Sequence, residues 1–391
     1  MKAIVSTLTM LIFGVANLLA QDYLSFHYKS ILVDTHNDIL EQCLTKGYSF
    51  DEDLKGKTHS DLVRFKQGGV DWQLFSVWCD GLQKNPYQYA NRMIDTVYAV
   101  AKRNNTAIKI VYNTKEALQA IKHHQMAAMF GVEGGHMIED DINKIDSFYN
   151  RGVRYITLTW NNSNNWATSA MDETSGKNLQ HKGLTDFGKQ IVKHMNDIGM
   201  MVDVSHVGEQ TFWDVMHTTT KPLIASHSSV YAICPVFRNL KDDQIKAIAQ
   251  NGGVIQVNFF SGFIDSNYNK RKEVFEKKHQ AELDSLLKIN PEKYFADDYL
   301  FAKYADEVAL MRAPFNLLIE HIDYIAKLVG VNYVGIGSDF DGIESPPQQL
   351  NDVTTYPLIT KALLDKGYSK KDVRKILGEN LIRVLKANEN N

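Results

Sequence analysis

The chain has 391 residues, of which 44% are hydrophobic and 23% charged, as is ordinary for a globular protein. Its formal net charge of −3 argues against a dedicated nucleic-acid binder, because such proteins usually carry a basic excess. The composition also excludes a disordered tail and a polytopic membrane protein, and three cysteines exclude a disulfide-dense scaffold. The length suits either two domains or one α/β barrel with insertions.

The first twenty residues have the pattern of a secretory signal peptide. Lys2 precedes an uncharged, mostly apolar run that ends at Ala20, and a polar Gln21 follows. The alternative is an uncleaved anchor, since the run approaches the roughly 18–20 residues that span a bilayer. We expect cleavage of residues 1–20, which leaves residues 21–391 as a single domain, exported to the periplasm or secreted, with no stable membrane anchor.

Eight short apolar or β-branched runs alternate with longer amphipathic stretches. The runs cover residues 31–38, 70–78, 126–134, 153–160, 200–206, 222–227, 253–260 and 333–342. Continuous apolar runs of this length are typical of strands buried on both faces of a parallel sheet. Eight strands alternating with helices favour a (β/α)8 TIM barrel. A doubly wound sheet is the alternative, but no glycine-rich nucleotide loop follows an early strand.

One interval between strands is longer than the others. Residues 265–312, between the last two runs, are highly charged and have a helical rhythm. We expect a solvated helical insertion before the last strand. It leaves the barrel just after the C-terminal end of a strand, which is the active-site face in barrel enzymes, so part of it can act as a lid.

Residues able to bind a metal ion stand where five of the runs end. They are His36, Asp38, Glu133, His206, His227 and Asp339. Taken singly, each of these residues could be present only to make a hydrogen bond or to cap a helix. In a barrel, however, the C-terminal ends of all strands converge on one mouth, so the six side chains would lie together. Imidazole and carboxylate without thiolate suit Zn²⁺, with Mn²⁺ or Co²⁺ as substitutes. Even five of these six residues exceed the ligands of one tetrahedral site, and they suit two metals about 3.5–4 Å apart that share a carboxylate.

At these residues the chain resembles the membrane (renal-type) dipeptidases, peptidase family M19. The motifs VDTHND, GVEGG, DVSH, SHSS and GSDFDG occur in the family's order, and the resemblance extends over residues 30–386. It implies a (β/α)8 barrel of the metal-dependent hydrolase type with two Zn²⁺ per chain. The implied ligands are His36, Asp38 and Glu133 for one zinc, and Glu133, His206 and His227 for the other, with Glu133 as the bridge.

The resemblance also implies the activity, which is hydrolysis of dipeptides, including those with a C-terminal D-residue, by a metal-bridging hydroxide. Asp339 and Glu133 are the expected catalytic residues. Asp339 would transfer protons and contact the substrate amine, while Arg238 matches the arginine that holds the substrate carboxylate, for which its planar fork is suited. A homodimer is compatible with the resemblance.

The sequence departs from the renal pattern at several positions. Trp160 stands where the renal form has a histidine implicated in substrate binding, so that role is unassigned. Cys43, Cys79 and Cys234 lack the expected disulfide partners, and we therefore expect three free thiols. The polar C-terminus has no signal for a lipid anchor. These departures favour a bacterial-type exported relative.

Two other functions compete with the dipeptidase. One is a related amidohydrolase-type metal hydrolase that acts on a lactam, a lactone or an N-acyl amino acid. Many such enzymes bridge their metals with a carbamylated lysine, so Glu133 in that place favours the dipeptidase. The other is a non-enzymatic exported binding protein, whose signature would be the loss of metal residues, and none is lost here.

Overall fold

The computed structural model describes residues 22–176, 179–291 and 293–390. Its strands are β1 (Leu32–Asp34), β2 (Val70–Trp78), β3 (Ile108–Ile110), β4 (Met126–Glu133), β5 (Val153–Thr157), β6 (Met201–Asp203), β7 (Ile224–Ala225), β8 (Val254–Val257) and β9 (Val334–Ile336). Eight of them form a parallel sheet in the order β1-β2-β4-β5-β6-β7-β8-β9, as predicted. The ends meet where Thr35 N donates to Ile336 O at 3.3 Å and Asn37 bridges Phe340, so the sheet is a nearly closed barrel.

The helices follow the strands as the barrel pattern requires, after a helical segment over residues 22–27. They are α1 (Ile39–Lys46), α2 (Leu62–Gln67), α3 (Pro86–Arg103), α4 (Thr114–Lys122), α5 (Asn143–Asn150), α6 (Ala170–Ser175), α7 (Asp186–Ile198), α8 (Glu209–Thr218), α9 (Asp242–Gln250), α10 (Ser261–Ile264), α11 (Tyr268–Lys278), α12 (Gln280–Ile289), α13 (Lys293–Lys303), α14 (Ala305–Met311), α15 (Phe315–Val329), α16 (Pro357–Asp365), α17 (Lys370–Arg374) and α18 (Asn380–Asn388). Short 3₁₀ turns cover Gly135–Ile138, Val331–Tyr333 and Val353–Thr355, and a π-helical turn covers Lys375–Glu379.

The strands read as continuous apolar runs because both of their faces are buried. In β2, Trp72 and Leu74 point into the barrel, while Phe75 and Val77 point outward into the core shared with the helices. Helix α18 packs against the inward-facing residues at the strand starts and closes the N-terminal end of the barrel. The opposite end, where the strands stop, carries the polar residues.

Strand β3 was not predicted from the sequence. It has only three residues, pairs with the start of β4 outside the main strand order, and exposes Lys109. So short and partly solvated a segment lacks the two-sided burial that made the other strands recognisable.

The predicted helical insertion is present before β9. Helices α11 to α14 have a small core of their own, which includes Phe275, Leu283 and Leu300. Its two ends are tied to the loop after β9: Ser345 Oγ donates to Tyr268 Oη at 2.9 Å, and Arg312 Nε, just beyond α14, donates to a carbonyl of that loop at 2.7 Å. The insertion is thus anchored to the loop that carries Asp339, although its role as a lid stays a prediction.

The predicted signal peptide, residues 1–20, lies outside the described residues. Within residues 22–176, 179–291 and 293–390, no helix combines the length and apolarity that crossing a membrane requires. All three cysteines, Cys43, Cys79 and Cys234, are described; they are free and buried, which confirms the expectation of three free thiols.

Candidate metal centre

Four of the predicted ligands converge at the C-terminal mouth of the barrel, around the carboxylate of Glu133. Glu133 ends β4. Its Oε2 lies 3.1 Å from His36 Nε2. Its Oε1 lies 2.8 Å from His206 Nε2 and 3.3 Å from His227 Nε2. The two oxygens of one carboxylate therefore face different imidazoles.

Asp38 and Asp339 lie on the His36 side of this cluster. His36 Nε2 is 3.5 Å from Asp38 Oδ2 and 4.0 Å from Asp339 Oδ1. The sequence pattern placed His36 and Asp38 on the first strand. Strand β1 instead ends at Asp34, so both residues belong to the loop beyond it. They still converge, because this loop pairs with the one after β9: Asp38 N donates to Phe340 O at 2.9 Å, and Asp339 N donates to His36 O at 3.0 Å.

Two of the site residues have a left-handed backbone. His206 and Asp339 both have φ of 63°, a conformation that costs a non-glycine residue about 1–2 kcal/mol. Neighbours hold each of them: Ala170 N donates to His206 O at 2.8 Å, and Asn258 Nδ2 donates to Asp339 Oδ2 at 2.7 Å. Such local strain is characteristic of functional sites. Each of the two lies three residues beyond the end of its strand, β6 for His206 and β9 for Asp339.

The Nδ1 atom of His36 has a partner that sets its tautomer. Tyr155 Oη lies 2.8 Å from His36 Nδ1 and donates its own proton to Thr35 O at 2.9 Å. The phenol oxygen must therefore accept from Nδ1–H, which leaves His36 Nε2 as the atom that can bind a metal.

The other two imidazoles are oriented in the same way. His206 Nδ1 lies 3.1 Å from Asn161 Oδ1. His227 Nδ1 lies 2.8 Å from Ser226 Oγ, which itself donates to Asp203 Oδ2 at 2.6 Å. In each case an oxygen accepts the Nδ1 proton, so Nε2 is free. His206 Nε2 and His227 Nε2 are 3.0 Å apart, where two lone pairs repel unless a cation lies near them.

Two buried aspartates differ in their relation to the imidazoles. Asp203 acts on His227 through Ser226 rather than directly. The Asp34 carboxylate accepts from Ser338 and Tyr356 and not from an imidazole. Tyr155 was missed; the only signal for it is its inward position in β5.

The electrostatics of the cluster fit a metal cation. Burial alone would lower the pKa of His36, but the facing Asp38 and Glu133 carboxylates raise it to about 10. Burial likewise opposes ionisation of Glu133, yet His36 and His206 hold its pKa well below the ordinary value. In the described residues, no Lys or Arg nitrogen comes within 4.0 Å of the Asp38, Glu133 or Asp339 carboxylates. Buried carboxylates and unprotonated Nε2 atoms are the donors that zinc-type metals prefer.

Arg238 lies beside the cluster, in the loop after β7. It is 4% exposed, and its Nη2 donates to His227 O at 3.2 Å. Its Nε has no hydrogen-bond partner among the described residues. Burial lowers its pKa to about 10, so the guanidinium is still charged at neutral pH. A buried cation with an unused donor is suited to hold an anionic group of a ligand.

Comparisons with known proteins agree with this geometry. Residues 21–391 match the family model described as membrane dipeptidase (peptidase family M19). An uncharacterized dipeptidase of Schizosaccharomyces pombe is 32% identical over 381 residues, which are 92% of this chain and 80% of that protein.

Two solved structures share the fold. The probable dipeptidase PvdM from Pseudomonas aeruginosa has a TM-score of 0.78 at 22% identity, over 95% of this chain and 99% of that one. A metallo peptidase from Rhodobacter sphaeroides, liganded with a phosphinate mimic of the dipeptide L-Ala-D-Ala, has a TM-score of 0.74 at 22% identity, over 92% and 99%. With the family model matching the whole described barrel and a buried His–Glu cluster at its mouth, the chain belongs to the membrane dipeptidase family, peptidase family M19, and is a metallo-dipeptidase.

Proposed function

We propose that this metallo-dipeptidase binds two zinc ions and hydrolyses dipeptides, including those with a C-terminal D-residue. The observation that carries the proposal is the division of the Glu133 carboxylate. One of its oxygens faces His36, and the other faces His206 and His227. A carboxylate placed between two groups of imidazoles is the arrangement that bridges two metals.

Each half of the cluster would hold one ion. His36, Asp38 and Glu133 would hold the first, while Glu133, His206 and His227 would hold the second. When bound, two zinc ions supply Lewis acidity and lower the pKa of a water molecule toward 7. The chain's own contribution is to hold the Nδ1 proton of each of the three imidazoles, so that Nε2 is the nitrogen directed at the metal, and to exclude bulk water by burial.

Asp339 would transfer the proton from the water to the leaving amine. Asn258 holds its Oδ2, and its Oδ1 points toward the cluster, 4.0 Å from His36 Nε2. Burial raises the pKa of Asp339 above its ordinary value, against the opposing pull of His36. A carboxyl of raised pKa is better suited to accept a proton and return it to a leaving amine near neutral pH.

Arg238 and Asp339 together would limit the substrate to two residues. The guanidinium would take the free carboxylate of the dipeptide, and Asp339 would contact its ammonium group. A longer peptide cannot place both of its charged ends on these residues while its first peptide bond lies over the cluster. It would therefore leave a buried charge unpaired, which is costly.

A D-residue at the C-terminal side is supported by the Rhodobacter sphaeroides metallo peptidase, which is liganded with a mimic of L-Ala-D-Ala. The shared fold makes L-D dipeptides reasonable substrates to test here, beside L-L dipeptides.

The decisive experiment combines metal analysis with a substrate panel. The purified protein is analysed for metal, stripped with a chelator, and assayed with Ala-Ala, Ala-D-Ala and a tripeptide before and after zinc is restored. We expect two zinc ions per chain and chelator-reversible hydrolysis of the dipeptides only. One ion per chain would contradict the binuclear proposal. Turnover of lactones, lactams or N-acyl amino acids without dipeptide turnover would replace it with the amidohydrolase alternative.

We also propose that the chain is exported after removal of residues 1–20. The support is the apolar run that follows Lys2 and ends at Ala20. N-terminal sequencing of the native protein tests this, and a mature chain that still begins at Met1 would contradict it.

A further inference from the structure

Two tryptophans form an aromatic wall at the mouth of the barrel. Trp78 is the last residue of β2, in register with Glu133, so its side chain points to the same inward side of the sheet. Trp160 lies just beyond β5. The two indoles pack edge to face with centroids 5.0 Å apart, and both are partly exposed.

The wall is held next to the metal centre. The Trp160 ring lies 6.5 Å from the His206 ring. The residues on either side of Trp160 are both tied to His206: Thr159 Oγ1 donates to His206 O at 3.3 Å, and Asn161 Oδ1 accepts from His206 Nδ1 at 3.1 Å. The position of the Trp160 backbone is therefore coupled to that of a predicted metal ligand.

The wall faces Arg238 across the cluster. Arg238 is hydrogen-bonded to His227 O, just beyond the end of β7. Trp78 belongs to β2, which lies opposite β7 in the barrel, four strands away in either direction. Asp339, after β9, lies midway between them on one side, two strands from each. A ligand anchored by its carboxylate at Arg238 therefore extends over the cluster toward the two indoles.

From this placement we propose that Trp78 and Trp160 form the subsite for the side chain of the N-terminal residue of the dipeptide, and that they select large apolar or aromatic side chains there. The inference rests on the proposed function. With the carboxylate on Arg238 and the ammonium group on Asp339, the N-terminal Cα lies past the scissile bond, and its side chain points away from β9 toward β2 and β5. Indole faces bind apolar and aromatic side chains, whereas glycine has no side chain that could pack against them.

Trp160 is thus a specificity-determining residue in this chain. The selectivity of the subsite is assigned to apolar contact with the two indoles.

The test compares two substrate series in the zinc-loaded enzyme. In one the N-terminal residue varies (Gly-Ala, Leu-Ala, Phe-Ala), and in the other the C-terminal residue varies (Ala-Gly, Ala-Leu, Ala-Phe). We expect wild-type kcat/KM to be at least about tenfold higher for Phe-Ala than for Gly-Ala. Trp160→Ala should abolish most of that ratio and leave the ratios of the second series unchanged.

Two further variants make the result interpretable. Trp213→Phe removes a partly buried tryptophan that packs edge to face on Phe212 in α8 and should change neither series. Trp160→Leu keeps apolar bulk if Trp160→Ala does not fold, and it should reduce the Phe-Ala preference less. An unchanged Phe-Ala to Gly-Ala ratio in a folded Trp160 variant would overturn the proposal, as would an equal change in both series.

A binding measurement separates this inference from the proposed function. Phosphinate mimics of Phe-Ala and Gly-Ala are titrated calorimetrically into wild type and Trp160→Ala. If wild type hydrolyses no dipeptide, the proposed function fails, but the affinity ratio of the two mimics still decides the subsite. A wild-type ratio of about ten or more that collapses in the variant supports the aromatic wall, and a ratio near one in wild type refutes it.

Discussion

Tyr155 and His36 are joined by a hydrogen bond of 2.8 Å between the phenol oxygen and the imidazole Nδ1, inside the barrel mouth. Because the phenol donates its own proton to Thr35 O, it can only accept from the imidazole, so that Nδ1 carries a proton and Nε2 is the nitrogen that can bind a metal. A residue of the inner barrel wall thus sets the tautomer of a predicted metal ligand.

Tyr155→Phe should weaken metal binding about 10–100-fold, because the imidazole loses the partner that orients it. Competition with a chromogenic chelator measures this affinity directly. Tyr324→Phe is the matched control, since it removes a hydroxyl that bonds Asp242 away from the barrel mouth. Unchanged metal affinity in Tyr155→Phe would show that the phenol has no orienting role.

Gly131→Ala should damage both the fold and the site. A Cβ at Gly131 would lie 1.8 Å from Tyr155 Cζ, so the ring that holds His36 must move. We expect a loss of at least about 1–3 kcal/mol in the unfolding free energy of the metal-free protein, together with weaker metal binding. Urea unfolding in the presence of a chelator measures the first effect.

The same substitution in a Tyr155→Ala background serves as its control. Removing the ring removes the steric conflict, so the two substitutions should be strongly non-additive. Simple additivity would mean that the ring is not what Gly131 accommodates.

Arg238→Ala should reduce kcat/KM for dipeptides roughly 10–100-fold, mainly through KM, because a charged hydrogen-bonding group is worth about 1.5–3 kcal/mol. It should also lose discrimination against dipeptide amides, which lack the carboxylate. Arg238→Lys retains the charge but lacks the planar fork and should recover only part of the loss. Retention of the wild-type preference for free carboxylates would refute the assigned role.

Metal affinity should rise with pH across the neutral range. The pKa of metal-free His36 is raised to about 10, and the proton and the metal compete for the same Nε2. Below pH 10 the proton must leave before the metal binds, so this group alone contributes about a tenfold gain in affinity per pH unit. Chelator competition at pH 6, 7 and 8 measures the slope. Affinity that is flat or falls over this interval would contradict the raised pKa.

The three thiols should be unreactive in the folded protein at pH 8. Burial raises the pKa of Cys43 and Cys79 to about 12 and that of Cys234 to about 11, so all three are protonated as well as buried. Ellman's reagent should detect almost no thiol in the native protein and three per chain after denaturation without reductant. A denatured count of one would reveal a disulfide.

Much of the fold was predictable because its cause is local. A strand buried on both faces needs a continuous apolar run, and eight such runs correspond to the eight strands of the barrel. The half-exposed β3 lacks that pattern and was missed. His36 and Asp38 were predicted on a strand but lie past its end, because where β1 ends depends on its pairing with neighbouring chain segments.

The sequence by itself determined the barrel and the chemistry at its mouth, since apolar runs set the strands and the residues that end them are imidazoles and carboxylates. Only the tertiary structure decided how these groups are aimed. The Nδ1 partner Tyr155, the division of Glu133 between imidazoles, and the opposition of Trp78 and Arg238 all join segments far apart in the chain. Such contacts exist only once the ring of strands has closed, because closure brings the ends of non-adjacent strands together around one mouth.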